Sequence, residues 1–157
     1  MKKIKLLVFL ILSMSFGYSS ENLREIRDLY YKVNLEDVGL DDFEKYLNKK
    51  NKIPKPELEG YKAALWFLKA KNYYNPYKKY EFFNKGKKQL ELIIKKYPDN
   101  VELHFLRLTI QDHLPFFLGY NDKIEVDKIF ITAKIKELNN DLDLKSRIIE
   151  YLTNRDK

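Results

Sequence analysis

The chain has 157 residues, of which 45% are hydrophobic, enough for one ordinary core and too many for a disordered chain. It contains no cysteine, which excludes disulfides, thiol catalysis and Cys-ligated zinc. The formal charge of +7 falls to +4 once Lys2, Lys3 and Lys5 are subtracted as part of a removable leader, and the remaining lysines lie among acids, the pattern of a solvated mixed-charge surface rather than of a nucleic-acid stripe.

Residues 1–19 read as a secretory signal. Lys2, Lys3 and Lys5 make the basic head, and Leu6 to Leu12 form an apolar run too short to span a bilayer comfortably. Small residues put cleavage after Gly17 or Ser19, with Ser19 preferred. The product is expected to be exported, periplasmic or extracellular. No later segment is long and apolar enough to cross a membrane, so no stable membrane insertion is expected after cleavage.

Beyond the leader, apolar residues recur at three- and four-residue spacing and strict alternation is rare, which predicts an all-α chain with about six or seven helices in one domain over 20–157. The first helix, near Asn22 to Val33, carries Leu23, Ile26, Tyr30 and Val33 on one face. Asp41 or Asp42 opens a short helix through Phe43 and Leu47, and the proline-broken stretch Lys49 to Pro56 is a loop that closes the N-terminal part, 20–56. From Glu57, Leu58, Tyr61, Leu65 and Leu68 form a stripe, widened by Trp66 and Phe67. Asn75 and Pro76 supply a cap and a first helical residue for a helix bearing Tyr80, Phe83, Leu90, Ile94 and Tyr97, in which Gly86 is read as a point of close packing. Pro98 stops that helix, and Asp99 with Glu102 reads as a capping box for the next. Leu103, Leu106, Ile110 and Leu114 make its stripe, with Phe105 and Leu108 alongside. Leu114 to Tyr120 is apolar and irregular, and is expected to fold back onto the helices with Gly119 in a left-handed conformation. Asn121 or Asp122 caps a helix carrying Ile124, Ile131, Ile135 and Leu138, which closes a core region over 57–138. Asp141 opens a last helix, 141–153, with Leu142, Leu144, Ile148 and Leu152, and Asn154 to Lys157 are expected to fray.

The run from Lys79 to Glu102, with small Gly86, then Leu90 and Ile93, then Pro98, resembles half of a tetratricopeptide repeat. Gly60-Tyr61-Lys62-Ala63-Ala64, Glu102 to Leu108 and Phe117-Leu118-Gly119-Tyr120 resemble a family of small, exported, uncharacterised bacterial proteins with tetratricopeptide-like helical hairpins. The resemblance implies divergent antiparallel hairpins and an exported address; it brings no activity or ligand.

Candidate chemistry is sparse. Arg107 and Asp127 each sit on the apolar stripe of their helix and are expected to pair across the interface, as a structural pair or as part of a carboxylate-binding pocket. His104 and His113 lie nine positions apart on one helix and have no acids at metal-ligand spacing, so no metal and no cofactor is expected. The aromatic and basic run Lys69 to Phe83, with Tyr73, Tyr74 and Tyr77, is either plain helix packing or a binding surface. The resulting expectation is a non-enzymatic protein–protein interaction module of the bacterial cell envelope, with Tyr61, Trp66, Tyr73, Tyr77, Arg107 and Tyr120 as candidate binding residues. Its partner would be another envelope protein or a peptide segment, and not nucleic acid. The alternatives are a small-ligand or glycan binder using a Tyr/Trp-rich face, and an enzyme with a site around Arg107, Asp127, Glu102 and Tyr120.

Overall fold

The computed structural model describes residues 23–49 and 55–155, so the leader and most of the loop before Pro56 lie outside the described residues. Among the described residues seven α-helices follow one another: α1 (23–34), α2 (Leu40–Lys49), α3 (Pro56–Asn72), α4 (Pro76–Lys96), α5 (Val101–His113), α6 (Ile124–Lys134) and α7 (Leu142–Arg155). Short 3-10 turns occupy Phe116–Leu118 and Ile135–Glu137, and no strand occurs among the described residues.

The most extensive contact is the α3–α4 hairpin, whose antiparallel course is set at its turn. Asn75 accepts from the Tyr77 and Lys78 N–H groups, and Pro76 takes the first helical place, where its missing N–H costs nothing. Gly86 lets the two helices close. A Cβ there would meet the Phe67 ring at 2.8 and 2.9 Å and the Ala63 carbonyl oxygen at 3.1 Å.

Helix α5 serves two cores at once. Leu103, Leu106 and Ile110 join Ile26, Phe43, Leu58 and Leu90 in the larger core, while Leu108 joins Ile131, Leu144 and Ile148 in a smaller one shared with α6 and α7. A helix buried on both sides must also bury its polar residues, and Glu102, His104, Arg107 and Gln111 of α5 are all buried. α3 and α5 run in the same direction. Asn100 Nδ2 donates to Glu57 Oε1 at 2.6 Å at their starts, and a Cβ on Gly60 would come within 2.5 Å of Leu103 and 3.4 Å of Leu106. Their C-terminal turns therefore share one end of the bundle.

Several local expectations are corrected. The cap of α5 is Asn100, whose side chain accepts from the Leu103 N–H at 3.1 Å, not Asp99. A bond from the Asn100 N–H to the Tyr97 carbonyl closes a turn whose central places are filled by Pro98 and Asp99, which moves the cap one residue on. Helix α6 has no side-chain cap from Asn121 or Asp122; instead the Lys123 N–H donates to Gln111 Oε1 at 3.2 Å. The apolar turn folds back only in part. Gly119 does adopt a left-handed φ of 60° and Tyr120 is buried, but Phe116 and Phe117 remain 82% and 84% exposed, because so short a turn can turn only one side inward. Tyr80, Tyr97 and Leu142, assigned to apolar stripes, are exposed. The C-terminal helix continues through Arg155, which is held by its Nε donating to Asp112 Oδ2 at 2.6 Å, so fraying does not begin at Asn154.

Candidate functional site

Two buried guanidinium centres tie the helices together. Arg27 on α1 is 3% exposed. Its Nε and Nη2 donate to the two oxygens of Glu102 at 2.8 and 2.7 Å. Nη1 and Nη2 donate to Asp141 at 3.0 and 2.6 Å, and Nη1 donates to Asp143 at 2.9 Å. A guanidinium has five N–H groups, and all of them are used here, so this centre has no donor left for a ligand. Burial works against the Arg27 charge, but its bonds to Glu102, Asp141 and Asp143 and the Glu102 charge raise its pKa overall. Burial pushes the Glu102 carboxyl up in spite of that partner. Tyr61 completes the centre, donating to Glu102 Oε1 at 3.0 Å, and its hydroxyl is pushed well above the ordinary phenol range by burial and by the neighbouring carboxylate.

Arg107 forms the second centre. Its Nε and Nη2 grip Asp127 as a fork, both at 2.7 Å, and Nη1 donates to Glu91 at 2.7 Å. Asp127 is fully buried and lies 2.7 Å from His104 Nδ1, whose Nε2 lies 2.8 Å from the Pro98 carbonyl oxygen. Burial alone would raise the Asp127 carboxyl, but the hydrogen bonds and charge of Arg107 and His104 hold it below the usual carboxylate range. Tyr120 reaches the same centre through Glu91 at 2.6 Å.

Arg107, Asp127 and Tyr120 are thus brought together, but with the fork already closed on Asp127. Glu102, grouped with them from sequence, belongs to Arg27 instead, because it faces α1 rather than α6. Tyr61 and Tyr120 are 5% and 3% exposed, so neither serves as a contact group on an outer face, and Arg107 is equally enclosed. Arg27 escaped the sequence reading, although a signal was present. It lies four residues after Leu23 and three before Tyr30, on the same stripe, as Arg107 does on α5. The histidines do not converge: His113 faces the Thr109 carbonyl at 2.7 Å. Among the described residues no group of three or more His, Asp or Glu is placed to hold a metal.

The accessible features lie elsewhere. An open groove of about 400 Å³ runs across α2, α3 and α4. Leu65, Leu92 and Ile93 line it with Trp66, together with Asn48 of α2 and Gln89 of α4. Its carboxylates are neutralised locally, Glu44 by Lys69 at 2.6 Å and Glu59 by Lys62 at 2.7 Å. Neither amide has a hydrogen-bond partner among the described residues. Trp66 lies with its ring against Phe82 and with the Lys85 ammonium 3.6 Å from its centroid. Tyr73 packs edge-on to Phe82, while Tyr74 and Tyr77 are 99% and 86% exposed at the α3–α4 turn. The four aromatic residues Tyr61, Trp66, Tyr73 and Tyr77 therefore do not form one face.

The fold and these features define an all-helical protein locked by two internal arginine–carboxylate centres, with a neutral groove on one flank. No family model, curated protein or solved structure matches the chain.

Proposed function

We propose that this is a non-enzymatic interaction module of the bacterial cell envelope, exported by its leader, that holds an extended peptide segment of another protein in the α2–α3–α4 groove. The observation carrying the proposal is the pair of amides, Asn48 and Gln89, without a hydrogen-bond partner among the described residues, in a groove with an apolar floor whose charges are already paired. A side-chain amide offers donors and an acceptor that match one peptide unit, and an apolar floor takes alternate side chains of an extended strand. A groove without unpaired charge selects a neutral polar segment over a strongly charged one. Divergent tetratricopeptide-like hairpins suit this role, since stacked helical pairs offer such grooves without specialised loops.

A glycan is the weaker reading. Stacking a sugar needs an open aromatic face, and Lys85 lies over that of Trp66.

Panning a displayed random peptide library over the immobilised protein tests the proposal. Enriched peptides should be neutral and apolar at alternate positions, and should lose binding to the Leu92→Glu variant, a change at a 57% exposed residue that leaves the fold intact. No enrichment, or enrichment indifferent to Leu92→Glu, would sink it.

A further inference from the structure

Helix α5 presents His104 both to α6 and to the turn by which the chain enters α5. The ring is buried, with Phe130 of α6 against it at 4.2 Å between centroids. Both of its nitrogens face oxygen: Nδ1 lies 2.7 Å from Asp127 Oδ1, and Nε2 lies 2.8 Å from the Pro98 carbonyl oxygen. A carbonyl oxygen only accepts. Asp127 only accepts as well, since Arg107 Nε and Nη2 already donate to both of its oxygens at 2.7 Å, the geometry of an ionised carboxylate. A neutral imidazole has one N–H and one lone pair, so it serves one of these oxygens and turns a lone pair on the other. An imidazolium serves both.

The charges around the ring favour the same state. Arg107 of α5 is one cation between two carboxylates, Asp127 of α6 and Glu91 of α4. Tyr120 adds no charge, because its hydroxyl donates to Glu91. A second proton on His104 brings this hydrogen-bonded set to neutrality, whereas a neutral ring leaves an excess negative charge in a set whose Asp127 is fully buried. Of the charges on the neighbouring turns, Glu102 bonds Arg27, Lys134 bonds Glu137, Lys87 lies over the Tyr120 ring, and Asp99 is exposed.

We infer that His104 is a pH-sensitive latch, which with both ring protons ties the α4–α5 turn to α6 and with one lets the turn go. Of the two neutral tautomers, the one with its proton on Nδ1 keeps the bond to ionised Asp127, and a hydrogen bond to a charged group is the stronger of the two. Loss of the Nε2 proton then sets a lone pair against the Pro98 oxygen at 2.8 Å, and the Pro98–Asp99 peptide turns away. The latch contributes stability while the second proton is on and loses it as that proton leaves with rising pH. It lies outside the α2–α3–α4 groove, whose lining includes neither His104 nor Asp127.

Nitrogen–proton NMR of the full isotope-labelled chain tests this, using ring correlations that distinguish the doubly protonated ring from each neutral tautomer. Spectra are followed from about pH 5 upward, the interval in which imidazoles titrate. At the acid end both His104 nitrogens should carry protons. As pH rises, Nε2 should lose its proton while Nδ1 keeps its own, and the amide nitrogen of Asp99, which shares the Pro98 peptide unit, should shift over the same interval. The chain has two histidines, so in His113→Gln the ring of His104 is the one left. In that variant the folded-to-unfolded ratio from urea melts should fall about tenfold across the ring titration, the equivalent of one hydrogen bond to a charged donor. His104→Phe should abolish the Asp99 shift, and if that variant does not fold the titration of the natural chain still decides. A ring with one proton throughout overturns the inference, as does a ring that never loses its second proton before the fold melts. So does a titration that leaves the Asp99 amide unmoved, a ratio that stays level, or an Asp99 shift that survives in His104→Phe. The peptide selection reads Leu92 and the titration reads His104, so the two proposals fail separately.

Discussion

Replacing Arg27 with methionine tests the idea that buried charge, and not only apolar packing, locks α1 onto α5 and α7. The change removes five hydrogen bonds to three carboxylates, but the loss is not shared evenly. Asp141 and Asp143 have side chains 24% and 21% exposed and can turn to water, and Asp143 keeps Arg147. Glu102 cannot. Its side chain is 5% exposed and would keep only the Tyr61 hydroxyl. Breaking a buried pair by deleting one partner costs about 3–5 kcal/mol, most of it the uncompensated charge left behind. With a urea dependence of about 2 kcal/mol per molar, the midpoint should fall by about 2 M. Adding Glu102→Gln removes the stranded charge while its carbonyl still accepts from Tyr61, and should restore about half the loss. In the single variant the deficit should also shrink as pH falls, because a buried Glu102 without its cation takes up a proton. Equal midpoints for the single and double variants, or a loss below about 1 kcal/mol for Arg27→Met, would refute the assignment of the cost to Glu102.

Asn100→Ala should cost about 1–2 kcal/mol by freeing the Leu103 N–H and the Glu57 carboxylate, whereas Asp99→Ala should stay within about 0.5 kcal/mol, and thermal melts of the pair decide which residue caps α5. Gly86→Ala should destabilise by about 1–2 kcal/mol despite a better helix propensity, since the new methyl meets a ring and a backbone carbonyl. Gly60→Ala should be milder because it meets only the ends of Leu103 and Leu106, and a reversed order in denaturant midpoints would argue against the tight α3–α4 contact. Asp127 has a depressed folded-state pKa, so its contribution is present above the ordinary carboxyl value of about 3.9 and is lost as pH falls through the lower folded value. Glu102, raised in the fold, works in the opposite direction, its contribution complete below about 4.3 and declining as pH rises through the raised value. Asp127→Asn should flatten the acid limb of the stability curve; an unchanged limb would exclude Asp127 as its source.

Local order alone specified much of this molecule. Helical spacing placed the apolar stripes of α3 and α5, Asn75-Pro76 placed the start of α4, and the gap at Gly86 marked where a neighbour comes close, because each of these depends on residues within a turn or two. The register of the α5 cap needed one hydrogen bond across Pro98 and Asp99, and composition could not choose between Asp99 and Asn100. Partners were a different matter. Arg107 and Asp127 were visible as stripe charges, but which acid would reach Arg27 depended on α1 lying against α5 and on α7 returning 114 residues later to place Asp141 beside it. Exposure was likewise a tertiary outcome. Tyr61, Tyr77, Tyr120 and Phe117 are chemically alike in the sequence, and only the packing of α1 and α4 buried the first and third while leaving the other two in water. Side-chain chemistry and its period thus determine what a helix can bury, and the neighbours that arrive from distant parts of the chain decide what it does bury.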